Sequence, residues 1–379
     1  MAGHLWVFSN EVDTEATPLT AFTPGDLVRL ESARGRVLGV GYVNPASLIS
    51  ARLLSRDVRV AIDREFFAQR LQVALAWRER LGWGPFYRLV FGESDGLPGL
   101  VVDRYGDDWV LQVTTAGMER CAPLVIEALE AITRPRSILL RNDTPARALE
   151  ALPALVTEAL GTPPEEACLV EGDCRFRVSL RGGQKTGWFF DQRLNRLRLL
   201  PYVNGRTVLD VFSYVGGFGI QAAAHGARHV TLIDGSERAL AYARDNADAN
   251  GVGDRVSLIE GDAFMVLKDL RAERRVFDVI ILDPPALIKR RKDREAGAVA
   301  YERLNQACLA LLAPDGLLIS ASCSHHLERD TLKRIVQRAA GHAARDLQWV
   351  DEGGQGPDHP VHPAIPESAY LKVVTARSY

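Results

Sequence analysis

The sequence predicts an α/β protein: a C-terminal doubly wound, Rossmann-like domain, an N-terminal β-barrel and a small α+β middle domain. Three observations predict it. From about residue 170, short apolar runs alternate with segments of helical periodicity, the pattern of βαβ units around a buried parallel sheet. Within that series, Asp210-Val211-Phe212-Ser213-Tyr214-Val215-Gly216-Gly217-Phe218-Gly219 joins a strand to a glycine-rich turn and a helix start. Two later apolar runs stop abruptly at polar or turn residues. Phe277–Leu282 runs into Asp283-Pro284-Pro285, and Ile319–Ser322 runs into Cys323, forty positions further on. At 379 residues the chain exceeds one core of ordinary size, so two or three domains are expected.

Residues 1 to about 65 read as short strands with Gly and Pro punctuation, hence a small barrel. The strands are Leu5–Phe8, Leu27–Leu30 after Pro24-Gly25-Asp26, and Arg36–Val43. Residues 64–82 look helical, with Phe66, Phe67, Leu71, Leu75 and Trp77 forming an apolar face. From Tyr87 to about 165 a second small unit follows. Strands Arg88–Phe91 and Gly99–Asp103 flank the turn-rich Ser94–Pro98, with a third strand at Trp109–Val113, a helix over 119–132 and a strand at Ser137–Leu140. Gly161-Thr162-Pro163-Pro164-Glu165-Glu166 is the linker candidate. Strands Val208–Phe212, His229–Asp234 and Val256–Ile259 then alternate with helices over 217–225 and 236–250. A helix over 298–312 precedes the Cys323 strand. The expected domains are 1–66, 67–167 and 168–379.

The five cysteines are odd in number and scattered, so they form neither a disulfide framework nor a CxxC metal pattern. No metal is expected, and free thiols point to a reducing cytoplasm. No run is long and apolar enough to span a membrane, and no signal-peptide pattern is expected at the N-terminus. The net charge of −2 argues against a broadly basic nucleic-acid binder, but its distribution is uneven. Eight Lys or Arg residues lie between Arg175 and Arg206 with Asp191 the one acid. Lys289-Arg290-Arg291-Lys292, with Arg294, follows Asp-Pro-Pro almost at once. Local basic patches can bind phosphate backbone at near-zero net charge, although such runs are often plain solvated surface.

The acids of the series carry the cofactor argument. Asp210 precedes the glycine turn containing Phe212, Ser213, Tyr214 and Gly216. Asp234, followed by Gly235 and Ser236, ends the next strand, where an acid accepts from ribose hydroxyls. Asp262 and Ala263 follow the third strand, where a carboxylate can accept from an adenine amino group. Read singly, Asp210 and Asp262 are strand-end caps and Asp234 a helix N-cap. Read together with Asp283-Pro284-Pro285, they look like the S-adenosylmethionine-dependent methyltransferase fold. An anionic Asp210 suits a cationic sulfonium and would repel a pyrophosphate, which disfavours a nicotinamide-dependent oxidoreductase.

With these residues in hand, the chain resembles the bacterial 23S rRNA cytosine-C5 methyltransferases, which join a PUA domain, a middle domain and a class I methyltransferase domain. The likeness spans nearly the whole chain. It rests on His4–Ser9, Gly92–Gly99, Asp103–Gly106, Lys185-Thr186-Gly187-Trp188-Phe189-Phe190-Asp191-Gln192-Arg193, Phe212–Gly219, Asp283-Pro284-Pro285, Ser322-Cys323-Ser324, Asp358–Val361 and Tyr370-Leu371-Lys372. There are departures. Three residues precede His4 where the family carries a longer basic segment, so the first PUA strand is expected to be missing or replaced. Ala286 stands where Lys is frequent, and His325-His326 replaces a Gly-containing stretch.

The resemblance implies S-adenosylmethionine as cofactor, ribosomal RNA or the assembling large subunit as partner, and room for a homodimer. It implies that Lys185, Thr186 and Arg193 form a lid over the cofactor. Cys323 is then the nucleophile that adds to cytosine C6, while Asp283 holds the base edge and Pro284 walls the pocket. A base inside folded RNA has to be extruded to reach them. His325, His326 and His359 are candidate proton acceptors. Uridine C5 obeys the same covalent logic. The rival readings are an RNA base N-methyltransferase, which needs no cysteine, and a silent RNA-binding assembly protein.

Overall fold

The computed structural model describes residues 3–379. The chain divides into two compact units. The first takes the chain up to Leu169, then Ser179–Phe190 and Pro357–Ser368; the second takes Val170–Val178, Asp191–Gly356 and Ala369–Tyr379. The Gly161–Glu166 segment does not mark this division. The chain changes unit at Leu169/Val170, inside a strand.

In the first unit, strands β1 (Trp6–Phe8), β2 (Asp26–Glu31), β3 (Val37–Val43) and β4 (Ile49–Ser55) form an antiparallel sheet in the order β1-β4-β3-β2. Helix α1 (Arg64–Glu79) follows, N-capped by Asp63, whose carboxylate accepts from Phe66 N at 3.0 Å. A second sheet contains β5 (Phe86–Phe91), β6 (Leu100–Tyr105), β7 (Asp108–Val113), β8 (Ser137–Asn142) and β9 (Leu155–Leu160) in chain order. Helix α2 (Ala116–Thr133) makes the crossover between the parallel pair β7 and β8. One apolar core serves both sheets: Tyr42 and Leu54 pack with Phe67, Leu71, Leu89, Val102, Leu111 and Met118.

The second unit begins with β10 (Glu166–Glu171, shared with the first) and β11 (Cys174–Ser179), a two-stranded ribbon. Cys168 and Cys174 remain free thiols, the first exposed and the second buried. Helix α3 (Arg193–Leu199) leads into β12 (Thr207–Val211), α4 (Gly217–Ala224), β13 (His229–Asp234), α5 (Glu237–Ala249), β14 (Val256–Glu260) and α6 (Ala263–Ala272). Then come β15 (Phe277–Leu282), α7 (Arg294–Leu311), β16 (Leu312–Ser322), α8 (Arg329–His342), β17 (Leu347–Gly354) and β18 (Lys372–Ser378). The strands pair in the order β14-β13-β12-β15-β16-β18-β17. The first five are parallel, and β18 runs antiparallel to both neighbours. Val, Leu and Ile fill β12, β13, β15 and β16 because a parallel sheet is covered on both faces. Leu209, Val211, Ile280, Leu282 and Leu318 pack with α6, α7 and α8.

Gly117 shows how tightly the first unit is packed. A Cβ at this position in α2 would lie 1.9 Å from the Tyr42 ring, whose hydroxyl donates to the Pro98 carbonyl at 2.9 Å. Gly117→Ala is expected to destabilise the protein by about 1–3 kcal/mol or more through overpacking, measured by chemical denaturation.

Candidate active site

The strand order reverses between β12 and β15, and β13 and β15 leave β12 on opposite sides. In an open α/β sheet the crevice at the carboxyl ends beside such a reversal is where ligands bind. The sequence-derived acids collect along that edge. Asp210 lies in β12, Asp234 ends β13, Asp262 follows β14, Asp283 follows β15 and Cys323 follows β16.

Asp210 is 1% exposed, and its Oδ2 accepts from Gly219 N at 3.0 Å. Burial, supported by Asp283 and Asp234, pushes its carboxyl up to about 7 against the Gly219 bond and the charge of Arg196. The following turn is strained: Phe212 and Tyr214 have φ of 66° and 51°, and Gly216 has φ of 85°. Non-glycine residues in the left-handed region collect at functional sites because the surroundings must hold them there. Here Asp234 does the holding, accepting from Tyr214 N at 2.8 Å and Ser236 N at 2.9 Å. The cap of α5 is Ser236, whose Oγ accepts from Ala239 N at 3.2 Å, and not Asp234. Asp262 is the cap of α6: its Oδ1 accepts from Phe264 N and Met265 N, with Ala263 as the first helical residue. Gly235, beside Asp234, is exposed.

Asp283 and Cys323 end neighbouring parallel strands. Leu282 pairs with Ser320, so Cys323 stands two residues beyond the register partner of Asp283. Pro284, next to Asp283, is buried. The Asp283 carboxylate accepts from Gln192 Nε2 at 2.8 Å, and Gln192 Oε1 accepts from Asn195 Nδ2 at 2.6 Å. Cys323 is half-buried, and the serines on either side of it are anchored. Ser322 Oγ donates to Tyr301 Oη at 2.8 Å, and Tyr301 Oη lies 3.0 Å from Ser324 Oγ. Ser324 Oγ also accepts from Ile288 N at 3.1 Å, tying the Cys323 strand to the loop after Asp283.

Arg193, next to Gln192, is 3% exposed, with its Nε 3.2 Å from Glu171. Arg196 and Gln221 also donate to that carboxylate. Lys185 and Thr186 belong to the first unit. There the Thr186 hydroxyl donates to buried Asp103, and Lys185 Nζ lies 4.3 Å over the Phe189 ring. His359 also belongs to the first unit, its Nδ1 2.9 Å from Asp358. His325 and His326 are exposed beside Cys323. The arginine-rich stretch is largely paired: Arg177 with Asp245, Arg181 with Glu158, Arg198 with Asp351 and Arg206 with Asp278. Lys289–Lys292 are all exposed, and of these four Arg290 is paired, with Asp293 at 2.9 Å. Gln192, Asn195, Tyr301 and Glu171 were not singled out from sequence. Gln192 lies in the Lys185–Arg193 match, but nothing local marks its partner ninety-one positions away.

Residues 138–375 match the family described as S-adenosylmethionine-dependent methyltransferase, and residues 1–56 match a PUA-like domain. The chain belongs to this methyltransferase family. It is 36% identical to ribosomal RNA large subunit methyltransferase I of Cronobacter sakazakii, over 97% of this chain and 94% of that protein. It is 37% identical to the protein of that name from Shewanella denitrificans, over 99% and 95%. Its fold matches an SAM-dependent methyltransferase from Streptococcus mutans with a TM-score of 0.82, at 23% identity over 98% and 95% of the two chains. A methyltransferase solved in complex with SAH gives 0.85, at 23% identity over 99% and 96%.

The cofactor of the family is S-adenosylmethionine, and the chemistry of the donor set suits it. A buried carboxylate at Asp210 matches a sulfonium charge. Ser213 Oγ is buried without a hydrogen-bond partner among the described residues, as a group awaiting a ligand would be. No cluster of three metal-ligating side chains occurs among the described residues, and no helix there is long and apolar enough to cross a membrane.

Glu171 is a buried carboxylate held by Arg193, Arg196 and Gln221. Burial pushes its carboxyl up, but Arg196 and Arg193 outweigh burial and hold it at about 2. A depressed carboxylate stabilises the fold above its ordinary range, and that stability is lost as pH falls towards 2. Glu171→Gln leaves two buried arginines without their counter-charge and is expected to cost about 3–5 kcal/mol in denaturant unfolding at pH 7. The penalty should shrink between pH 4 and 2.

Proposed function

We propose that this protein forms 5-methylcytidine in 23S ribosomal RNA, with Cys323 adding covalently to C6 of the target base. Full-length relatives named ribosomal RNA large subunit methyltransferase I support ribosomal RNA as the substrate class. The observation that carries the covalent reading is the placement of Asp283-Pro284 and Cys323 at neighbouring strand ends of one crevice. An N-methyltransferase needs the first element and has no use for the second.

Bound S-adenosylmethionine supplies an electrophilic methyl group on a positively charged sulfur. Asp210, Ser213, Asp234 with Ser236, and Asp262 would hold it, with the turn through Phe212, Tyr214 and Gly216 presenting backbone amides. The protein's own work concerns the base. Cytosine C5 is a poor nucleophile until a thiolate adds to C6 and makes C5 enamine-like. Cys323 makes that bond. Asp283, fixed by Gln192, would hold the N3–N4 edge and, in its protonated form, donate its proton to N3 as negative charge develops there. Removal of the C5 proton then expels the thiolate. The exposed Lys289–Lys292 run, a few residues past Asp283, suits RNA phosphate, and the paired arginines of 175–206 contribute less. The assembling large subunit in the cytoplasm fits as the substrate, and a homodimer is compatible with it. The three-domain reading, 1–66, 67–167 and 168–379, follows the two sheets of the first unit and the one large sheet of the second.

The test is methyl transfer to ribosomal RNA lacking its own modification, read by nucleoside mass spectrometry. Wild type should yield 5-methylcytidine. Cys323→Ala should lower the rate by about 10³-fold or more while still binding cofactor, and Asp283→Asn by about 10²-fold. A nitrogen-methylated product, or full activity without the thiol, would sink the covalent mechanism.

Asp210 gives a second, independent expectation. A carboxyl titrating near 7 must ionise to pair with a sulfonium. S-adenosylmethionine affinity should therefore weaken by up to about tenfold per unit as pH falls below 7. Uncharged S-adenosylhomocysteine should change little, and Asp210→Asn should abolish the difference, as measured by titration calorimetry.

A further inference from the structure

Lys372 opens β18, and its side chain ends against the segment carrying Cys323. Its Nζ donates to the Ser324 carbonyl at 2.6 Å and to the Tyr370 carbonyl at 2.7 Å. The residue is 6% exposed. Lysines are almost never buried this far without a counter-charge, yet its partners here are two uncharged backbone carbonyls. Burial lowers its proton affinity, with Arg329 adding to it and Cys323 opposing it, and leaves the amine at about 8. Other charged groups around this corner are Asp283 at the end of β15 and Asp191, which accepts from the Tyr370 hydroxyl at 2.5 Å. The exposed ring of His325 lies 5.6 Å from that of Tyr370.

The hydrogen-bond count at Nζ is informative. An ammonium has three N–H donors, and two are taken by carbonyls. A neutral amine has two N–H groups and a lone pair. Both states satisfy the same two carbonyls, so a proton can be gained or lost at the third position without breaking either bond.

We propose that Lys372 takes up the Cys323 proton and holds the sulfur as a thiolate ready for addition. In this step the S–H bond breaks, an N–H bond forms, and the S–H electron pair stays on sulfur. A neutral pair becomes an ion pair, with no other reactant needed. Lys372 is thus a positioning residue acting through Cys323. The catalytic meaning of the pair rests on the covalent reading above, but its existence does not, because thiolate formation can be read without RNA.

The experiment is alkylation of Cys323 by iodoacetamide from pH 6 to 10, followed by peptide mass spectrometry. It is run in a Cys168→Ser background, which removes the exposed thiol outside the site. Only the thiolate reacts, so the midpoint of the pH–rate curve reports the Cys323 ionisation. In Lys372→Met the midpoint should rise by about one unit or more, slowing alkylation at pH 7 about tenfold. Lys372→Arg keeps a permanent cation and should retain a midpoint below that of an ordinary thiol. A Met profile matching wild type, or equal shifts in both variants, would overturn the proposal. If the Met variant does not fold by circular dichroism, the Arg variant decides alone: a midpoint at or above about 8.5 overturns it. Failure of Cys323→Ala to lose methylation would instead strike the covalent mechanism and leave this result standing.

Discussion

Parallel pairing of β15 with β12 on one side and β16 on the other is the constraint on which the site depends. It aligns three carboxyl ends, so that Asp210, Asp283 and Cys323 come to one edge although 113 positions separate the first from the last. The buried Val, Leu and Ile of these strands fix the register, since a one-residue slip would turn every side chain to the other face. Packing energy spread over the sheet thus holds a few polar groups within reach of one another. None of those groups would be stable there unaided.

Two buried carboxylates show how the second unit places charge. Glu171 and Asp210 are both nearly inaccessible, yet they shift in opposite directions. Glu171 has Arg193 and Arg196 against it and stays ionised far into acid. Asp210 has one backbone amide and two acidic neighbours, and it is left half-protonated near neutral pH. The difference is one of supplied partners. Glu171 has its counter-charge supplied by two arginines, whereas Asp210 has a backbone amide bond and acidic neighbours.

The legible and illegible parts of the sequence divide along the same physical line. Asp234, Asp283 and Cys323 could be singled out because each sits where an apolar run stops, and Asp210 because a glycine-rich turn follows its strand; both are local events. Asp262 was legible as a strand-end acid; its capping of α6 was not, the helix-cap alternative falling to Asp234. Gln192, Asn195, Tyr301 and Glu171 were not legible. Their partners lie far away in sequence and are met only after the chain has folded. The arginine-rich stretch misled for the opposite reason. It is contiguous in sequence, but its charges face different acids: Asp245, Glu158, Asp351 and Asp278. The exposed 289–292 segment has one such pairing, Arg290 with Asp293.

Cys323 differs from the other cysteines in its surroundings. The three buried cysteines, Cys121, Cys174 and Cys308, have thiols pushed up by burial and lie in apolar packing. Cys323 differs in its neighbours on the strand. Ser322 and Ser324 are buried on either side of it, bound by Tyr301 and the Ile288 amide. The serines therefore fix the backbone on both sides of a thiol that is only half-buried. Lys372 grips the same backbone through the Ser324 carbonyl, so one anchor sets both the position of the sulfur and its electrostatic surroundings. The backbone around the sulfur is thus anchored from two neighbouring strands, by the serines that end β16 and by Lys372 at the start of β18.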